Sequence, residues 1–191
     1  MGNIRTFVAV DISSEIRSAS LKQIAAFQKL GVDEYKWVDQ TEMHLTLKFL
    51  GDIRDNESPD VCKLVKRAVQ NFEPIVLNVA GLGAFPSPDR PRTLWMGITQ
   101  GLEEIGELQA SVDEALKEMG FPPERNGFTP HITLGRVARG NRSNPIVAEY
   151  IANNSATHFG SIEIDQVIVY SSFGDRSGRT YTPMATIDLD G

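Results

Sequence analysis

The sequence predicts a mixed protein of strands and helices arranged in two similar halves. Three observations carry that expectation. Apolar residues switch between a period of two and a helical period along the chain. The order strand, helix, strand, helix, strand is met twice. A polar word, histidine-apolar-threonine-leucine, stands once in each half, as His44-Leu45-Thr46-Leu47 and as His131-Ile132-Thr133-Leu134.

The elements follow in order. Ile4 to Ile12 alternates and reads as a strand. Ser13 or Ser14 then opens a helix, with Leu21, Ile24 and Leu30 on its apolar stripe and Gly31 at its end. Trp37-Val38 is a short apolar touch, and His44 to Leu50 is strand-like. Ser58-Pro59 reads as an N-cap and first-turn pair before a helix carrying Val61, Leu64, Val65 and Ala68. Ile75 to Val79 closes the first half as a strand. In the second half, Thr93 to Ile98 is a strand, and Ile105, Leu108, Val112, Leu116 and Met119 form a helical stripe before Gly120. His131 to Val137 is a strand, Asn144-Pro145 opens a helix, Ile162 to Tyr170 makes one strand or two, and Tyr181 to Leu189 is the last. Linkers are expected near 52–58, 86–92, 138–145 and 173–179.

The two words lie 131 − 44 = 87 residues apart. At that offset Arg5-Thr6 falls on Arg92-Thr93, Leu21 on Leu108, Phe72 on Phe159 and Ile75 on Ile162. The matches sit at equivalent points of matching elements, which points to a diverged internal duplication. One bilobal domain over 1–191 is expected, with repeat halves 1–87 and 88–191.

Composition narrows the function. The chain of 191 residues, 41% hydrophobic and 23% charged, reads as an ordinary globular protein. No apolar run approaches the roughly 20 residues of a membrane span, and no signal peptide or membrane partner is expected. Gly2 has the shape of a myristoylation site, but the same residues open a strand. Cys62 is the only cysteine, so no internal disulfide is possible and a cytoplasmic location fits. A net charge of −6 argues against gripping long nucleic acid through many phosphates. Local cations remain for a nucleotide or an RNA end: Arg125, Arg136, Arg139 and Arg142 around the second word, and Arg90 with Arg92.

Alternate residues of a strand share a face, so His44, Thr46 and Lys48 point one way, with Leu45, Leu47 and Phe49 directed to a core. His131 and Thr133 likewise share a face. An imidazole can give or take a proton near neutral pH, and a threonine hydroxyl can donate to a phosphate oxygen. Two such strands related by a pseudo-twofold axis would set two imidazoles on either side of one phosphorus, as in-line displacement needs. A single His-x-Thr on a strand is ordinary. Two of them, using two of the three histidines, point to one shared site. His158 lacks the word. A zinc centre is a poor match, since the chain has no His-x-His and no cysteine pair. Asp11, Asp165 and Asp188 read as rim or turn residues, and the glycine-rich FGDRSGRTY stretch lacks the context of a phosphate loop.

The paired words, with RTFVAVDIS, KWVDQTEMHLTLKFLGDI, LGAFPSPDRPRTLWMGI, FTPHITLGRV and RTYTPMATIDL, resemble the two-histidine phosphoesterases, and in particular their RNA 2′,3′-cyclic phosphodiesterase or 2′-5′ RNA ligase branch. The resemblance covers nearly the whole chain. It implies an α+β fold, bilobal, with two pseudo-symmetric antiparallel sheets, helices on the outer faces and a central cleft. It implies hydrolysis of RNA 2′,3′-cyclic phosphate ends to 2′-phosphomonoesters, and reversible ATP-independent 2′-5′ joining of tRNA halves. It implies His44 as proton donor, His131 as proton acceptor, and Thr46, Thr133 and Arg136 as phosphate-binding residues, with no cofactor and no metal. Strict alternation sets Arg136 opposite His131, and a bulge at Gly135 would re-aim it. Lys48 is a further candidate for substrate contact. Phe85, Phe128 and Trp95 read as core residues that could instead stack on a base. RNA ends or small cyclic nucleotides are the expected partners of a monomer. The alternatives are a phosphodiesterase of small cyclic nucleotides or 2′-5′ oligoadenylates, and a non-catalytic nucleotide-binding module.

Overall fold

The computed structural model describes residues 2–123, 127–137, 143–174 and 179–191. Among these residues nine strands and four α-helices run in the order β1 (Asn3–Asp11), α1 (Ser14–Lys29), β2 (Tyr35–Trp37), β3 (His44–Arg54), α2 (Ser58–Val69), β4 (Ile75–Ser87), β5 (Arg90–Gln100), α3 (Leu102–Leu116), β6 (His131–Val137), α4 (Pro145–Asn153), β7 (His158–Ile164), β8 (Gln166–Gly174) and β9 (Arg179–Asp188). Short 3-10 turns precede β3 and α2 and follow α3.

The strands pair in the order β7-β4-β5-β6-β3-β1-β8-β9, with β2 added on β6, and every pairing among the described residues is antiparallel. The two sheets expected are two arms of one curled sheet. Among the described residues they join where Leu45 of β3 faces Ile132 of β6. That pair is 87 residues apart, so the offset of the repeat maps it onto itself, as a twofold axis through the junction requires. Each arm takes strands from both halves of the chain: β1 and β3 pair toward β8 and β9, while β4 joins β5, β6 and β7. Helices α2 and α3 pack on each other, with contacts to β3, β8 and β9. Helices α1 and α4 contact β6, β7 and β4.

Local chemistry explains these elements. Ser13 caps α1 by accepting from the Ile16 amide, and Ile16, Ser20, Ile24 and Phe27 form its buried stripe. Asn144 does the same for α4 through the Val147 amide, with Pro145 in the first turn. In α2 the cap position belongs to Glu57 and Ser58 is already helical, because a 3-10 turn runs directly into the helix. Strand β4 extends well past Val79. The expected linker at 86–92 is the tip of the β4–β5 hairpin, where Ser87 faces Arg90. Gly83 within β4 makes room for an indole: a Cβ there would lie 2.1 Å from the Trp95 ring. The expected linker at 52–58 likewise begins inside β3, which pairs with β1 through Arg54. No helix among the described residues is long and apolar enough to cross a membrane.

Candidate active site

The two polar words lie on the strands that join the arms. The antiparallel count around Leu45 and Ile132 sets His44 beside Thr133 and Thr46 beside His131. Each histidine is anchored alike. His44 Nδ1 lies 2.7 Å from the Glu42 carbonyl oxygen, and His131 Nδ1 lies 2.7 Å from that of Thr129. A carbonyl only accepts, so both rings carry their resting proton on Nδ1 and leave Nε2 as an acceptor. His44 Nε2 is 3.0 Å from Thr46 Oγ1. With Nδ1 donating, the threonine hydroxyl donates to it.

The packing around the rings differs. His44 stacks on Phe7 at 4.8 Å between centroids and meets the edge of Tyr181 at 5.4 Å. His131 stands against Phe85 at 4.9 Å and Trp95 at 6.1 Å. Phe85 and Trp95 therefore shape the second histidine, while Phe128 packs against the core. Arg17 of α1 secures the segment before His44. It bonds the Gln40 carbonyl and the Asp11 carboxylate, the latter at 2.9 Å.

Both imidazoles are held neutral. Burial pushes His44 down to about 4, an effect that outweighs the Glu42 carbonyl; Arg136 and His131 add to the lowering. Burial also lowers His131, against the pull of the Thr129 carbonyl and with help from Arg136.

Bulges decide which neighbours reach the cleft. Between β5 and β6 the register passes from Leu94 facing Gly135 to Trp95 facing Thr133, so Leu134 is an extra residue. Arg136 thereby returns to the face of His131 and Thr133, and its Nη2 donates to Thr133 Oγ1 at 3.4 Å. Gly135 permits this because a Cβ there would lie 2.7 Å from the Trp37 ring. The first word carries the matching irregularity. Val8 faces Lys48 and Ala9 faces Thr46, leaving Leu47 extra.

That bulge overturns the expectation for Lys48. The side chain is 2% exposed, makes a salt bridge to Asp113 of α3 and donates to the Pro122 carbonyl at 2.8 Å. It belongs to the helix side of the sheet, away from the residues that line the cleft. Phe49, expected in the core, is 56% exposed and faces the cleft instead. Of the other cations expected near the second word, Arg125, Arg139 and Arg142 lie outside the described residues.

A cleft of about 510 Å³ opens over this junction, with His44, Thr46, Phe49, Thr133 and Arg136 in its walls. His131 stands two residues along β6 from Thr133 and is not itself among the residues lining that cleft. A hollow of about 420 Å³ lies on the other side of His44 and Tyr181, next to Asp11 and Arg17. Among the described residues no group of three or more histidine, cysteine or acidic side chains is placed to hold a metal ion. Sequence reasoning missed Arg5, Lys36, Arg179 and Tyr181, which line the cleft from strands whose partners were unknown. The alternation of Arg5, Phe7 and Ala9 was the available signal, since it sets them on one face of β1.

Comparison with known proteins agrees with this geometry. An RNA 2′,3′-cyclic phosphodiesterase from Methanothermobacter thermautotrophicus is 32% identical over 186 residues, covering 97% of this chain and 99% of that protein. An RNA 2′,3′-cyclic phosphodiesterase from Archaeoglobus fulgidus is 32% identical over 189 residues, covering 97% of this chain and all of its own length. The fold matches Escherichia coli LigT, solved with 3′-AMP, at a TM-score of 0.79 and 23% identity over the full length of both chains. A family model of the 2′-5′ RNA ligase superfamily matches residues 15–176, and with these relatives it establishes that the chain belongs to that superfamily.

Proposed function

We propose that the protein hydrolyses 2′,3′-cyclic phosphate ends of RNA to 2′-phosphomonoesters. One observation carries this reading: two histidine-threonine words on adjoining antiparallel strands, each imidazole anchored through Nδ1 to a backbone carbonyl, with Arg136 re-aimed onto Thr133. The names of the relatives support the same substrate class. The cleft binds nucleotides or RNA, in keeping with the 3′-AMP seated in the E. coli neighbour.

In the proposed reaction the cyclic phosphate lies between the two words. Thr46, Thr133 and Arg136 hold its non-bridging oxygens. His131 Nε2 takes a proton from water as the water oxygen bonds to phosphorus. The bond from phosphorus to the 3′ oxygen breaks, and His44 Nε2 delivers a proton to that oxygen. Resting charge does not order the two roles, because both imidazoles are neutral. The donor role of His44 rests on the family resemblance. It requires the bound anion to offset Arg136 and to raise His44 from its resting value. We also read the chain as one bilobal domain of two repeat halves, 1–87 and 88–191, supported by the junction at Leu45 and Ile132.

The experiment is phosphorus NMR of the product from a cyclic-phosphate-ended oligonucleotide. A 2′-phosphate is expected. A 3′-phosphate, or an even mixture of isomers, would refute the assigned orientation.

A further inference from the structure

The cleft carries more positive charge than one phosphate needs. Among the described residues, Arg5, Lys36, Arg136 and Arg179 line it against a single lining carboxylate, Glu42, on a chain of net charge −6. None of the four makes a salt bridge among the described residues. Arg136 is accounted for by Thr133. Arg5 is not. It stands four residues along β1 from Ala9, the partner of Thr46. At the rise of a strand that sets the backbone of Arg5 about 13 Å from that of Ala9, which leaves its guanidinium farther along the cleft than the Thr46 hydroxyl.

A second feature marks the same end of the cleft. Ser172 faces Arg5 on one side and Tyr181 on the other. It is 9% exposed, and its Oγ has no hydrogen-bond partner among the described residues. A buried hydroxyl without a partner is costly, and native proteins seldom leave one unless a ligand or water completes it. This one lies in the wall of a cationic cleft. Charge converges beside it. Burial pushes the Tyr181 phenol up, Glu42 adds to that, and Arg179, Arg136 and Arg5 all act against it. Phe49, exposed and facing Phe7 across the strand pair, lies between this end and Thr46.

We propose that Arg5, Arg179, Ser172 and Tyr181 form a second anion subsite, which holds the phosphodiester on the 5′ side of the terminal nucleotide and makes the enzyme select oligonucleotide ends over mononucleotide cyclic phosphates. The proposal rests on the cyclic phosphodiesterase reading, which places the terminal phosphate at Thr46 and Thr133. The other phosphate attached to the terminal nucleotide of an RNA is its 5′ diester. Two guanidiniums, a phenol and a hydroxyl are donors suited to one such phosphate. The net negative surface elsewhere confines RNA to this groove.

The test reads binding, so it does not depend on turnover. Calorimetry compares three ligands: uridine 2′-monophosphate, the dinucleotide ApU carrying a 2′-phosphate, and the same dinucleotide with a neutral methylphosphonate linkage. The charged dinucleotide is expected to bind at least ~10-fold more tightly than the mononucleotide, the gain of one charge-assisted contact. Its affinity should fall more steeply with salt, by a slope of about 0.7 for the added phosphate. The methylphosphonate should lose most of the advantage, as should Arg5→Gln and Arg179→Gln with the charged ligand. Equal affinities for mononucleotide and dinucleotide would overturn the subsite. So would an advantage that persists with the neutral linkage, which would assign it to the added base on Phe49, or one that survives both arginine substitutions. Failure of hydrolysis with the binding pattern intact would count against the catalytic reading and leave the subsite standing.

Discussion

Lys48→Met separates a structural lysine from one that touches substrate. The substitution keeps most of the aliphatic stem and removes the ammonium. In the native protein that ammonium is buried, joined to Asp113 and to the Pro122 carbonyl, with side-chain exposures of 2% for Lys48 and 13% for Asp113. Breaking a buried pair by removing one member costs about 3–5 kcal/mol, because the remaining charge stays buried. Asp113 keeps further interactions, which places the expectation near about 3 kcal/mol. With a urea slope of roughly 2 kcal/mol/M, the unfolding midpoint should fall by about 1.5 M at unchanged slope. Adding Asp113→Leu should recover part of the loss, because the second substitution removes the buried carboxylate that has lost its lysine. Turnover per folded molecule, measured well below the midpoint, should stay near that of the unsubstituted protein. A hundredfold loss of turnover with an unmoved midpoint would contradict the placement of Lys48 behind the sheet and restore it as a substrate contact.

Two further outcomes follow from the imidazoles. A proton acceptor must be neutral, so activity rises as pH climbs through its pKa; a donor must be protonated, so activity falls as pH climbs through its own. His44 lies at about 4 and His131 below its usual 6.5, so kcat/KM should follow a bell with its maximum between about pH 4 and 6.5, and the alkaline limb of kcat should lie higher because the bound anion lifts His44. An optimum of kcat/KM above pH 7 would contradict the resting charges. Turnover should also survive exhaustive chelation, because the proposed steps use imidazoles, hydroxyls and a guanidinium; complete loss restored by a divalent ion would require a metal in the mechanism.

The caps of α1 and α4, the stripe of α3 and the two histidine strands were readable because each rests on local chemistry: Ser13 and Asn144 accept at their helix starts, and the polar words alternate with buried Leu45 and Ile132. What was misread depends on partners distant in sequence. A period of two assumes no extra residue, and the bulge at Leu47 exchanged the faces of Lys48 and Phe49. The matching bulge at Leu134 was foreseeable because Gly135 follows it, whereas nothing so conspicuous follows Leu47. The alternation read over Ile75 to Val79 stops short of the strand's end at Ser87, and the Gly83 within the remainder is required by the indole of Trp95, which arrives from the next strand. The crossing of strands between the arms, which brings β8 and β9 beside β1, has no local signature at all. That crossing supplies Ser172, Arg179 and Tyr181 to the cleft, which is why those residues went unnoticed.

The central claim is that the two histidine words act as one site on a cyclic phosphate. Single-turnover hydrolysis of an oligonucleotide ending in a 2′,3′-cyclic phosphate, by the unsubstituted protein, His44→Ala, His131→Ala and the double variant, tests it most directly. Each single substitution should slow the reaction by a factor on the order of 10² or more, and the double variant should be little slower than the poorer single one, as for groups that serve one transition state. Near-normal hydrolysis by either single variant, or losses that multiply in the double variant, would contradict it.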